Sequence, residues 1–158
     1  MGLDIRRQAK AAREMSDEGV VIHVTNADES LAWYEKNGEQ HPVTITVAGS
    51  HSKLYRRVES EQRAERLKPR NITGQKFHED ALDRAVACTL AWEGLDIDGV
   101  PIPFTAENVR MVYAEAPWIY DLVSEAIHDT KRFFSKELQK QQNSSGQGSG
   151  STSDVMTD

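Results

Sequence analysis

Cysteine is nearly missing from this chain. Cys88 stands alone, which excludes an internal disulfide and a cysteine-clustered zinc site, two common ways of stabilising a small domain. No apolar run approaches the roughly 20 residues of a membrane helix. The N-terminal MGLDIRRQAKAAREM has no apolar stretch of the signal-peptide kind, so the expectation is a cytosolic protein. Excess positive charge is lacking too: 19 Lys and Arg face 25 Asp and Glu, a net charge of −6. Attraction of the whole molecule to nucleic acid or to an anionic membrane is therefore not expected. Two catalytic signatures are missing, the His-Glu-x-x-His of metalloproteases and the Gly-x-Ser-x-Gly turn of serine hydrolases. At 158 residues the chain suits one ordinary domain or two very small ones, not a large multidomain enzyme.

What is present divides into four segments. Residues 1–17 carry Arg6, Arg7, Lys10 and Arg13 among alanines and acids, without a broad apolar face, and are expected to be a mobile arm. Residues 18–70 read as a small β-meander followed by a helix. Val20, Ile22 and Val24 alternate with Val21, His23 and Thr25, and Val43, Ile45 and Val47 alternate with Thr44 and Thr46. Leu31–Tyr34 supplies a strand between them, joined onward through the turn signal Asn37-Gly38. Ser50 or Ser52 caps a helix to about Leu67, stopped before Pro69, and this helix is expected to cover the sheet. Residues 71–140 form a helical subdomain. Phe77, Ala81, Ala85, Cys88 or Thr89, and Trp92 follow one helical stripe that Glu93-Gly94 ends. After an apolar loop with a turn at Asp98-Gly99, Thr105 caps a helix over 106–115, and Pro117 opens a last helix whose stripe includes Leu122, Val123, Ile127, Phe133 and Phe134. Residues 141–158 read as a disordered tail, since Asn143–Asp158 is half Ser and Gly. The fold class is thus α+β: a small antiparallel sheet with a basic helix, then three helices.

Several clusters invite a chemical reading and each has a plainer one. Ser50-His51-Ser52 pairs a hydroxyl with a base, but adjacent residues rarely face one another for proton transfer, so a turn and helix cap is preferred. His78, Glu79, Asp80 and Asp83 are the densest set of metal-ligand types and would serve a small metal-dependent nuclease. Acids opening a helix are also what its dipole favours without a metal. Asp96 and Asp98 resemble the start of a calcium loop, but Val100, Pro101 and Ile102 occupy the positions of further oxygen ligands. Cys88 in an apolar stripe reads as a buried, inert thiol. Residues 53–70 hold seven basic side chains and three acids, whereas 71–134 hold five and eleven. Charge is therefore segregated, and the basic stretch, with Tyr55, permits a nucleic-acid contact that its acids weaken. Trp92 suits the core, while Trp118 suits core or interface equally.

Taken together the segments resemble the tail assembly chaperones of long-tailed bacteriophages. The likeness lies in Pro42–Ser50 running into Ser52-Lys53-Leu54-Tyr55-Arg56-Arg57, in Ala87–Leu95, in Gly99–Asn108, and in Ala116-Pro117-Trp118-Ile119 with Arg132-Phe133-Phe134, across about residues 20–138. The resemblance implies a non-enzymatic protein of the host cytoplasm, without cofactor, that binds and solubilises the tape-measure protein while the tail tube assembles and is absent from the virion. It also implies the tail tube protein as a further partner, self-association, and no dealings with nucleic acid, membrane or small-molecule substrate. In that family a ribosomal frameshift often appends a C-terminal extension, and Asn143–Asp158 fits the unextended form. The partner-binding surface is expected to comprise Trp118, Ile119, Tyr120, Leu122 and Phe133, with Arg56 and Arg57. The alternative is a structural head–tail joining or minor tail protein retained in the virion.

Overall fold

The structure, a computed structural model, describes residues 2–67 and 74–135. The expected tail over 141–158, the Pro69 helix stop, and Lys68 and Arg70 of the basic stretch lie outside them. The α+β expectation holds. In chain order the elements are α1 (Ile5–Glu18), β1 (Val20–His23), β2 (Trp33–Lys36), β3 (Glu39–Pro42), β4 (Thr44–Val47), α2 (Lys53–Arg66), α3 (Gly74–Cys88), β5 (Thr89–Glu93), β6 (Asp96–Ile97), β7 (Val100–Pro101), α4 (Ala106–Glu115) and α5 (Pro117–His128), with residues 130–135 again helical.

The main sheet is antiparallel, in the order β1-β4-β5. Val20 faces Val47 and Ile22 faces Ile45 across the first pair. Their period of two buries Val20, Ile22, Ile45 and Val47 and leaves Val21 in solvent. This differs from the expected meander, because Trp33–Lys36 pairs with Glu39–Pro42 rather than standing between the two valine-rich strands. Asn37 and Gly38 both adopt positive φ (54° and 78°), the geometry of a tight two-residue hairpin. That short loop sends β3 straight back along β2, and the chain then runs on into β4 beside β1.

A second correction concerns Thr89–Glu93, which is a strand and not the end of a helix. Without it β4 would carry a row of unpaired backbone groups on one edge. Pairing of Ile45 with Trp92 and Thr46 with Ala91 satisfies that edge. Long-range pairing here overrides a helical stripe that by itself reads well. Thr89 is held at the switch point, where its hydroxyl reaches the Ala85 carbonyl (2.7 Å) and the Tyr113 hydroxyl (2.6 Å).

The helix expected to cover the sheet does not do so alone. α2 packs chiefly on α3, and its buried residues are Tyr55 and Gln62, while α5 packs on β4. One hydrophobic cluster joins Val20, Ile45 and Val47 of the sheet to Val109, Val123, Ala126 and Ile127 of the C-terminal helices. The expected 18–70 and 71–140 segments therefore share a core, and β5 of the second lies in the sheet of the first. The 1–17 segment, expected as a mobile arm, is largely α1. Its last turn is docked: Ser16 is buried, its carbonyl accepts from Gly49 N (3.0 Å), and Asp17 Oδ1 accepts from Lys53 N (2.8 Å).

Expected caps stand where the sequence puts them. Ser52 accepts from Tyr55 N and Thr105 from Asn108 N, each at 3.1 Å, and Pro117 opens α5.

Candidate functional site

Three short segments meet at one end of the sheet and enclose a groove of about 1010 Å³. The first is the loop that leaves β1 together with β2, over residues 24–36. The second is the β6–β7 hairpin, turned at Asp98 and Gly99, whose positive φ values (52° and 79°) again define a tight turn. The third is the N-terminus of α5, where Pro117 sets the helix start and so aims Trp118 outward.

The groove floor is apolar: Val24, Ala32, Val43, Leu95 and Ile119. Two indoles flank it. Trp33 is 53% exposed and packs edge-on against the His23 ring. Trp118 is 37% exposed, and its Nε1 donates to the Thr25 carbonyl at 2.9 Å. Tyr34 completes the wall, lying so close to Gly94 that a Cβ there would strike its ring. Gly94 has φ +88°, so glycine is required both for conformation and for clearance. The neighbouring loop also exposes Leu31, and the β6–β7 hairpin exposes Ile97 and Val100. Two partly exposed indoles over an apolar floor mark an interaction site more often than isolated exposed residues do.

The turn after β1 is held by its own polar groups. Asn26 N donates to the Ser30 carbonyl (2.8 Å), and the Ser30 amide and hydroxyl both reach Asp28 Oδ1 (3.0 and 2.5 Å). The bonds from Ser30, the hydroxyl foremost, hold the Asp28 carboxyl below its usual range, so it is ionised at neutral pH.

Of the expected partner-binding residues, the groove brings together Trp118 and Ile119, one at the rim and one in the floor at 6% exposure. Tyr120 turns elsewhere, half-buried between Tyr113 and His78 with ring centroids 6.0 and 6.3 Å away. Leu122 is half-buried outside the lining. Phe133 is 1% exposed and packs where a Cβ on Gly49 would come within 2.9 Å of its ring, so it belongs to the core and cannot meet a partner. Arg56 and Arg57 are exposed on α2, outside the groove lining. Sequence reasoning missed Trp33, Tyr34 and Gly94. Trp33 had a signal, an indole in a short strand beside Asn37-Gly38, but placing that strand mid-sheet hid its outward face.

The metal-ligand types are dispersed. Asp80 is buried between Arg66 (3.7 Å) and Lys76 (3.4 Å), Asp83 pairs with Arg110 (2.5 Å), and the His78 ring meets the Tyr120 ring edge-on. Among the described residues, no group of three or more His, Cys, Asp or Glu is placed to hold a metal. Burial pushes the Cys88 thiol up to about 11, against the opposing influence of a Ser52 hydrogen bond and the Arg84 charge, so it is protonated and unreactive near neutrality. Ser52 is fully buried as a helix cap while His51 is exposed. Among the described residues, no helix is long and apolar enough to cross a membrane.

No protein-family model matches the chain, and neither a curated protein nor a solved structure does.

Proposed function

We propose that the chain is a tail assembly chaperone of a long-tailed bacteriophage, a non-enzymatic protein that keeps the tape-measure protein soluble in the host cytoplasm and does not remain in the virion. The observation that carries the reading is the groove flanked by Trp33 and Trp118, an aromatic, half-exposed surface mounted on hairpins and a helix start. Tryptophans in such settings supply much of the binding energy at protein interfaces. A long helical client that aggregates on its own needs many such weak contacts, and several chaperone copies along it gain by valency what one groove lacks in affinity. The sequence resemblance supplies the client, and the net charge of −6 suits a coat that must stay dissolved.

Co-expression with the tape-measure protein of the same phage tests this. Wild type is expected to move the client into the soluble fraction, and Trp33→Ala with Trp118→Ala to lose most of that effect while keeping a native circular dichroism spectrum. A client equally insoluble with and without the chain would overturn the reading. Finding the chain in purified virions would favour a head–tail joining or minor tail protein instead.

A further inference from the structure

The framing segments of the groove carry a charge bias that its apolar floor does not explain. Residues 26–36 and 93–101 contain Asp28, Glu29, Glu35, Glu93, Asp96 and Asp98 against the single base Lys36. Glu35, Glu93, Asp96 and Lys36 line the groove directly, and all six acids are exposed or stand in exposed turns. The basic side chains of α1 and α2 are not among its lining residues. An apolar trough with a carboxylate rim is complementary to a segment that presents apolar side chains flanked by Lys or Arg. A cation at its edge would also meet the exposed face of Trp33, an attraction that adds to the ionic one.

We infer that this groove selects a cationic amphipathic segment of its partner, one with an apolar stripe bordered by Lys or Arg, and discriminates against the same stripe bordered by acids. The inference rests on the chaperone reading for the identity of the partner but concerns only the chemistry of the segment that docks. Like charges across a desolvating rim are repelled, so the acids act as much by exclusion as by attraction.

The test uses the full chain and three fluorescein-labelled helical peptides of 14 residues: Leu with Lys, Leu with Glu in the same pattern, and Ser with Lys. Fluorescence anisotropy is expected to show binding of the Leu–Lys peptide at least tenfold tighter than either of the others. Trp118→Ala is expected to weaken that binding about tenfold. The triple variant Glu35→Lys, Glu93→Lys, Asp96→Lys, all at exposed positions, is expected to weaken it at least tenfold and to bind the Leu–Glu peptide better than wild type does. Equal binding of the Leu–Lys and Leu–Glu peptides, or unchanged Leu–Lys binding by the triple variant, overturns the inference. Binding of the Ser–Lys peptide as tight as that of Leu–Lys also overturns it, by showing attraction without the groove. Failure here is separable from failure of the chaperone reading. If wild type solubilises the tape-measure protein but binds the Leu–Lys and Leu–Glu peptides equally, the charge selection falls and the chaperone stands; if selection is found but the client is never solubilised, the reverse holds.

Discussion

The indole of Trp118 is hydrogen-bonded to the backbone carbonyl of Thr25, 93 residues earlier, at 2.9 Å. One bond thus ties the first turn of α5 to the loop that leaves β1 and fixes the groove wall while leaving Trp118 37% exposed. An exposed bond of this kind contributes on the order of 1 kcal/mol. Trp118→Phe should therefore cost about that much in urea denaturation and keep most of the apolar contact with a partner. Trp118→Ala should cost about 1–2 kcal/mol more, because the partly buried indole also loses its packing, and should lose about tenfold in client binding. If the two variants bind alike, the indole is a structural strut and the partner docks elsewhere.

The adjacent residue has the opposite role. Ile119 is 6% exposed and packs in the shared core, so Ile119→Asp would place a carboxylate in a largely apolar, desolvated position. Such a change typically exceeds about 3 kcal/mol and should abolish the cooperative unfolding transition at room temperature. A folded, monomeric Ile119→Asp protein in size-exclusion and urea experiments would show that the start of α5 is less firmly packed than its burial implies.

How far the sequence led can be judged at these same positions. Local chemistry was legible: Asn37-Gly38 and Asp98-Gly99 make tight turns, Ser52 and Thr105 cap helices, and Pro117 opens α5, since each depends on residues within a few positions. What failed depended on the rest of the chain. Thr89–Glu93 carries a helical stripe but is taken by the open edge of β4. Phe133 sits on an apolar stripe that predicts a sticky surface, yet Gly49 leaves room for its ring in the core. The groove was half visible, through Trp118 and Ile119; its other wall needed the true placement of β2, which periodicity alone does not supply.

Gly94 and Tyr34 set the shape of that other wall. An alanine at 94 would meet the Tyr34 ring and would also have to hold φ +88°, so Gly94→Ala should destabilise by about 1–3 kcal/mol. The two contributions are separable by a double-mutant cycle. In a Tyr34→Ala background the steric part vanishes and only the backbone part, about 1 kcal/mol, should remain. Additive costs in urea melts would mean that the ring moves aside freely and that the hairpin is not braced by this contact.

Alkaline pH probes the packed interface between α3 and α4. Burial pushes Cys88 up to about 11 from 9.0 and Tyr113 up to about 12 from 10.0. Both groups are neutral when protonated, so above pH 9 the unfolded chain releases protons that the folded chain keeps, and stability must fall as pH rises. The contribution is complete below pH 9 and shrinks first through Cys88 between 9 and 11, then further through Tyr113 between 10 and 12. Each unit of displacement corresponds to about 1.4 kcal/mol, so the Cys88 share should be about 2 kcal/mol by pH 11. The decisive measurement is a set of urea midpoints from pH 7.5 to 10.5 for wild type and Cys88→Ala. The variant should start lower because a packed sulfur is lost, yet fall less steeply between pH 9 and 10. Parallel curves would mean that Cys88 titrates in the folded state as it does in water, and that burial does not raise its pKa.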